Sequence, residues 1–581
     1  MSILRSCLTA GFLTLSVLPA WANTSSGNQI ILNGKTYPGY WFQSSAAGST
    51  TLAISDGDLE EDFGLYLLDN STPQQQPVQW YSSQAETLSA NFPKNGAVRY
   101  LDISQFSQRL GWQVQPRGNA LVINSGSAQV RTLKTGIQPW GRRIVLELDR
   151  PSPWRLTELT NSRSGKTDRN LTLTVDASLG SAATQGVNTN PGGGLLSLGM
   201  AKSGGQTTLK ASFAGGMRPE VWTLSNPPRL VVDIRPDPMR SRNIAWAPGL
   251  RWRESVISLG SQRFPVSWLE VNLNQGGLKL QPIWGNDPNQ LVGTHPLLST
   301  AARAQSAAAI NAGFFDQKRQ TPLGAIRRNG TWISSPILNR GVIAWNDAGQ
   351  VQVGRLSLRE TLATSTGQSL TVVSQDSGYP QAGIARYTPL WGRTYRPILG
   401  TEQIVTVVDN RVVSQVASSS AAEFPIPRNG SLLVARSLDV KSTLAAGTTY
   451  QSQWSANPSS LGAFPNIMGA GPLLVANSQV VLNVEAESFQ RAFEAAAAPR
   501  SAIAQRADGT VLLVTSHNRV GGAGPTLTEW ARVLQAMGGV NALNLDGGSS
   551  TTLYLGGRLV DRHPVTAARV QNALGVFLDS N

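Results

Sequence analysis

The sequence predicts an α+β fold in which a C-terminal mixed-sheet domain follows small β-rich modules. Two patterns lead there. Short apolar runs broken by Gly, Asn, Asp or Pro recur along the chain, the signature of strands and turns, while segments with a helical period are few. Composition adds 57 Gly, 33 Pro and 16 Trp, with 40% hydrophobic and only 14% charged residues, which excludes a disordered polyelectrolyte or a charge-rich helical rod. At 581 residues and roughly 150 residues per domain, about three or four folding units are expected.

Residues 1–22 read as a secretory signal peptide. Arg5 precedes an apolar run from Leu8 to Leu18, and Ala20-Trp21-Ala22 supplies a small-residue cleavage site. The one cysteine, Cys7, lies ahead of that run, so neither disulfides nor Cys-held metals are expected in the mature chain. No later stretch approaches the roughly 18 apolar residues that span a bilayer. A secreted, periplasmic or envelope-associated bacterial protein with no transmembrane segment is expected.

Between Arg99 and Ile123 a strand leads to a short helix, Ile103 to Leu110, stopped by Gly111, and then to a hairpin turning at Arg117-Gly118. This stretch resembles the copper amine oxidase N-terminal-like domain, which defines a small α/β module over 23–125 and implies no copper. In the β-rich region 126–245, Arg143-Ile-Val-Leu-Glu-Leu-Asp149 and Arg229-Leu-Val-Val-Asp-Ile-Arg235 form a weak repeat of alternating strands closed by proline. Both resemble strands of AMIN modules, and that resemblance implies contact with peptidoglycan or cell wall. The Gly, Ser, Ala, Thr and Asn of 178–206 predict a flexible insert.

From 246 to 581 the texture is steadier. Hairpin turns are expected at Asn329-Gly330, Asp347-Ala-Gly349, Asp409-Asn410, Asp508-Gly509 and Gly556-Gly557. Two helices stand out: an Ala-rich one from about Leu298 to Ala309, and one from Leu527 to Met537 with Leu527, Trp530, Leu534 and Met537 on one face.

A formal charge of +14 suits acidic partners, but basic blocks and interleaved aromatics of nucleic-acid binders are missing, so no nucleic acid is expected. The chain lacks a Walker A loop, a G-x-S-x-G elbow, an H-E-x-x-H pair and a Rossmann glycine fingerprint. Its three histidines, His295, His517 and His563, are scattered, against a His-rich metal site.

Three segments carry candidate chemistry. Ile310-Asn-Ala-Gly-Phe-Phe-Asp316 brings a carboxylate to the end of an apolar run, where Asp316 acts on a ligand or caps a turn. Ala542-Leu-Asn-Leu-Asp546-Gly-Gly-Ser-Ser-Thr551 delivers Asn544 and Asp546 to a glycine turn whose N–H groups, at Gly547, Gly548 and Ser549, could cradle an anion. Pro499-Arg500-Ser-Ala-Ile-Ala504 pairs through Asp508-Gly509 with Val511 to Thr515, which draws Arg500 and Arg519 toward one sheet end as a phosphate fork. Glu529 stands at capping-box spacing from Thr526, so it caps a helix or joins the acids.

In this order, Asn311-Ala-Gly-Phe-Phe-Asp316, Pro322-Leu-Gly324, Asn339-Arg340-Gly341, Ile426-Pro-Arg-Asn-Gly430, Gly469-Ala-Gly-Pro-Leu473, Pro499-Arg500-Ser501-Ala502, Asn544-Leu-Asp-Gly-Gly-Ser549 and Arg569-Val-Gln-Asn572-Ala573 resemble the phosphodiester glycosidase family over roughly residues 250–579. The family's animal member is the uncovering enzyme, N-acetylglucosamine-1-phosphodiester α-N-acetylglucosaminidase. The chain departs from the family pattern at Ala498, at His517-Asn518-Arg519 and at Ser549. The resemblance implies a hydrolase of sugar-1-phosphodiesters in envelope or extracellular polysaccharide, with Asp316, Asp546 and Glu529 as candidate catalytic carboxylates. Arg340, Arg500 and Arg519 would hold phosphate with the turn at Gly547 and Gly548, and Asn311 and Asn544 would orient sugar hydroxyls. Clustered Asp and Asn oxygens also suit a hard cation such as calcium, with no metal site assigned. The alternative is a non-catalytic envelope protein that binds phosphate-bearing glycans.

Overall fold

The computed structural model describes residues 23–46, 49–92, 97–160, 169–185, 192–236, 239–275, 277–285, 287–418 and 423–578. The expected signal peptide lies outside them. Strands dominate, helices are few, and the architecture is β-rich with mixed sheets. Among the described residues no helix is long and apolar enough to cross a membrane.

The chain divides into two compact units. The smaller joins the residues up to Ile54 with Asp102–Ser125. Within it, strand Asn23–Leu32 pairs antiparallel with Lys35–Ala46 and parallel with Ala120–Asn124, and the latter forms a hairpin with Gln113–Arg117. The expected helix runs Ser104–Arg109, and Gly111 (φ +69°) follows it as the stop. The larger unit takes Ser55–Leu101, expected inside the 23–125 module, together with everything from Gly126 onward.

In the larger unit the two repeat segments are neighbours. Gly141–Leu148 pairs antiparallel with Arg229–Arg235, and Arg143 forms two hydrogen bonds of 2.7 Å with Asp233 directly opposite. The region expected as a flexible insert differs: its described part includes strand Leu195–Ser203, paired along Gln206–Phe213. Leu195 and Leu198 are buried, so apolar side chains at the end of a Gly-rich run are enough to dock it. Residues 186–191 of that span lie outside the described residues.

The sheet that carries the candidate site is eight-stranded and antiparallel. Its central strands are Gln262–Val271, Val511–Ser516, Arg500–Arg506 and Gly539–Asn544. The helix Leu527–Ala536 packs on it through Leu527, Trp530 and Leu534, which with Met537 are buried as their spacing predicts. A five-stranded sheet sets Ala308–Asn311 between Asn572–Leu578 and Leu553–Leu555. A seven-stranded sheet, Glu402–Val408 among its strands, is mixed, since Ser369–Gln375 runs parallel to Gly383–Tyr387.

The Ala-rich helix is shorter than expected. It spans Leu297–Ala304, Gln305 closes it in the left-handed conformation (φ 56°), and Ala308–Asn311 is a buried strand. Alanine's helical propensity yields there to burial on both faces of a sheet.

Candidate functional site

Asp546 stands just beyond strand Gly539–Asn544, at the mouth of a turn that closes as a short 3-10 helix, Gly548–Ser550. Every wall of the turn comes from a distant segment. The Asp546 N–H donates to the Ala312 carbonyl at 2.8 Å, Leu545 N–H to Ser501 carbonyl at 2.9 Å, and Gly548 N–H to Pro499 carbonyl at 2.8 Å. Gly548 has φ +64°, a conformation that glycine adopts without strain. Burial pushes the Asp546 carboxyl up to about 6, against the pull of hydrogen bonds from Ser550 and the Gly547 N–H. A carboxyl that titrates near neutrality in a glycine turn can exchange a proton with a ligand or water.

Asn311 is the fastener of this turn. Its amide donates to the Asp546 carbonyl at 2.6 Å, and its Oδ1 accepts from Ser501 Oγ at 2.7 Å and Thr552 N–H at 3.1 Å. It is fully buried, so the expected contact with sugar hydroxyls gives way to a positioning role. Asn544 is similar: its amide bridges the Gly471 and Leu545 carbonyls, each at 2.8 Å, while its buried Oδ1 has no partner. Sequence reading missed Asn572 as a further brace, whose Oδ1 takes the Gly313 N–H at 2.6 Å.

The expected anion cradle differs too. Gly547 N–H is engaged by Asp546 Oδ1 at 3.0 Å and Gly548 N–H by Pro499, so neither is left for a phosphate. Ser549 is exposed and its carbonyl accepts from Arg562 and from the Ala568 N–H.

Two of the expected acids are engaged by partners of their own. Asp316 caps its own turn, accepting from the N–H groups of Lys318 and Arg319 and from the Arg319 guanidinium at 2.9 Å, and these bonds hold its carboxyl below the usual range. Glu529 completes the capping box with Thr526 and pairs with Arg519 through two bonds of 2.9 and 2.8 Å. Burial pushes its carboxyl up, but the Thr526 N–H and Arg519 outweigh that and hold it down. Arg519, tied to Glu529 and to the carbonyls of Ala523 and Gly524, is a loop brace rather than half of a phosphate fork.

The arginines separate by what they touch. Arg500 lies beside the glycine turn, its Cα 3.9 Å from where a Gly547 Cβ would stand. It is 2% exposed, donates to the carbonyls of Pro525 and Ala496, and burial lowers its pKa to about 10. Arg340 stacks over Phe489, 4.1 Å from the ring centroid, with Phe314 at 5.7 Å, and its buried Nε has no partner. Phe314, Phe489 and Phe493 form one cluster, and Arg500 sits over Phe493 at 5.4 Å. Arg340 and Arg500 thus flank a single aromatic wall.

Glu487 is a buried carboxylate that sequence reading passed over. It accepts the N–H groups of Gly341 at 2.7 Å and Leu473 at 2.9 Å, and burial pushes its carboxyl up. Its segment, Val484-Glu-Ala-Glu487-Ser, carries no signal that separates it from a solvated turn. Among the described residues no three or more His, Cys, Asp or Glu side chains gather to hold a metal ion.

This arrangement, a half-buried acid in a glycine turn beside an arginine-flanked aromatic wall, defines a candidate hydrolytic site. The model of the phosphodiester glycosidase family matches residues 402–577, and the C-terminal region resembles that family. A hypothetical protein from Synechocystis of known crystal structure is 42% identical over 95% of this chain and 99% of its own, with a TM-score of 0.88. The chain belongs to the same family as that protein. A Burkholderia pseudomallei protein of known crystal structure is 17% identical, with 76% of this chain and 98% of its own covered and a TM-score of 0.46. The zebrafish N-acetylglucosamine-1-phosphodiester α-N-acetylglucosaminidase catalytic domain, auto-inhibited by its pro-peptide, is 16% identical, with 57% and 84% covered and a TM-score of 0.30. No curated protein matches.

Proposed function

We propose that the C-terminal region hydrolyses sugar-1-phosphodiesters at the anomeric carbon, in a chain exported to the envelope or beyond by its first 22 residues. The observation that carries this reading is the Asp546 carboxyl, raised to about 6 by burial and held on a turn that two distant segments fasten. A phosphate leaves as a stable anion, so the leaving side asks for little acid help. The task left to the protein is to favour the oxocarbenium-like transition state and ready a water, which suits one ionised carboxylate. Asp546 takes that role. Arg340, stacked on the Phe489 face, neutralises the phosphate, and Arg500 adds positive potential from beside the turn. Calcium enters no step of this scheme. The N-terminal modules, read as copper amine oxidase N-terminal-like and AMIN-like, would hold the enzyme near the wall polymer.

The test is release of reducing sugar from UDP-GlcNAc or a nitrophenyl sugar phosphodiester by the purified chain. Asp546→Asn should reduce turnover by about 10³-fold or more, the scale of removing a group that acts in the transition state. Absence of turnover on any such diester would leave the non-catalytic binding of phosphate-bearing glycans as the reading, and full activity in the variant would remove Asp546 from the catalytic role.

A further inference from the structure

We propose that Glu487 is the positioning residue for Arg340, a buried carboxylate that fixes both the arginine's turn and the Gly471-Pro472 segment beside the Asp546 strand, so that the phosphate-holding group and the acid keep one spacing. This role rests on the hydrolase reading above, and Glu487 acts on the substrate only by way of Arg340.

The backbone ties are direct. Arg340 follows Leu338 and Asn339, both at φ 52°, and two non-glycine residues in the left-handed region persist only where outside contacts hold them. The residue after the arginine is so held: Gly341 N–H donates to Glu487 Oε2 at 2.7 Å, across 146 residues of sequence. The other oxygen, Oε1, accepts Leu473 N–H at 2.9 Å and lies 3.5 Å from Arg355 Nε. Glycine on two sides makes room for the carboxylate. A Cβ on Gly341 would stand 3.1 Å from Oε2, and one on Gly471 2.5 Å from it. From Gly471 the connection continues toward the acid. Gly471 N–H donates to the Asn544 carbonyl at 3.0 Å, and the Asn544 amide returns to the Gly471 carbonyl at 2.8 Å. Asn544 ends the strand that leads to Asp546.

The side chains act on the same arginine. Glu487 is fully buried, and two residues on, Phe489 sets its ring under the Arg340 guanidinium, 4.1 Å from the centroid. Phe489 keeps a fixed place relative to Glu487, because its N–H donates to the Val484 carbonyl at 2.9 Å and Ser488 N–H to the Glu485 carbonyl at 2.9 Å. Burial lowers the Arg340 pKa, and the Glu487 charge is the foremost group opposing that. Residues 484–489 therefore hold the arginine in three ways: a backbone hydrogen bond, a ring and a charge.

Titration of the full chain with inorganic phosphate, followed by calorimetry, tests the role. Arg340→Ala should weaken phosphate binding by roughly tenfold or more. Glu487→Gln should do the same, because a neutral amide loses the charge and turns a donor toward one of two N–H donors. The losses should not add: Glu487→Gln placed on Arg340→Ala should weaken binding by less than about twofold more. A residue that served only the fold would lower the melting temperature and leave the losses additive. If Glu487→Gln fails to fold, Phe489→Leu keeps the backbone ties and takes only the ring. It should weaken binding by about threefold, again only while Arg340 is present. Additive losses, undiminished binding in whichever variant folds, or wild-type phosphate binding that is absent or survives Arg340→Ala each overturn the role. Coupled losses of phosphate binding with no turnover of any sugar phosphodiester overturn the hydrolase alone.

Discussion

Asp546 sits where its charge is disfavoured, and two consequences can be measured. If the ionised form acts, kcat/KM falls as pH drops through about 6, by about tenfold per unit below it. Stability moves the other way. The folded-state pKa lies above the ordinary 3.8, so this residue's favourable contribution is complete below about 4 and is lost as pH rises through about 6. Asp546→Asn should therefore melt at a higher temperature than the wild type at pH 8, with the gap closing by pH 4. Asn311 gives the opposite result. Asn311→Ala strands the Ser501 hydroxyl, the Thr552 N–H and the Asp546 carbonyl in a dry site, and at about 1–3 kcal/mol for an orphaned buried group it should cost several kcal/mol in urea unfolding.

At the scale of elements, the helix Leu527–Ala536 was legible because its apolar spacing and its Thr526/Glu529 box both speak locally. So were the five hairpin turns, since their Gly, Asn and Asp residues constrain only their own backbone. The roles of Glu529 and Arg519 were not, because a carboxylate at capping spacing looks the same whether it serves its helix or a ligand. Glu529→Gln tests the reassignment. It should lower stability by about 1–2 kcal/mol through the lost ion pair and weakened cap, and leave kcat within about twofold. A loss of turnover as large as that of Asp546→Asn would return Glu529 to the acids. The segment Ala308–Asn311 shows the same limit, since four buried residues have no period and their strand identity comes from neighbours at Leu553–Leu555 and Asn572–Leu578.

At the scale of the whole molecule, contacts between positions hundreds of residues apart decide most of what sequence reading could not see. In the larger unit, Glu60 receives Arg242 at 2.8 Å and Arg558 at 2.5 Å, across sequence separations of 182 and 498 residues, and Arg242 also reaches Glu254 at 3.2 Å. No local pattern announces such a network. Removing Glu60 takes a shared acceptor from two partly buried guanidiniums, each of which keeps a second carboxylate, so Glu60→Ala should destabilise by about 1–3 kcal/mol. Glu60→Ala with Arg558→Met should recover part of that, which a double-mutant cycle in denaturant would measure.

The fastening of Asp546 has a further outcome. Its acid is poised only after Asn311, Ala312, Pro499 and Ser501 have all arrived, and two of these come from a segment nearly two hundred residues before the others. Residues 402–577, taken alone, would therefore contain the reactive group and lack the clasp that tunes it. On the proposed reading, a fragment that begins after Ala312 should therefore show no turnover.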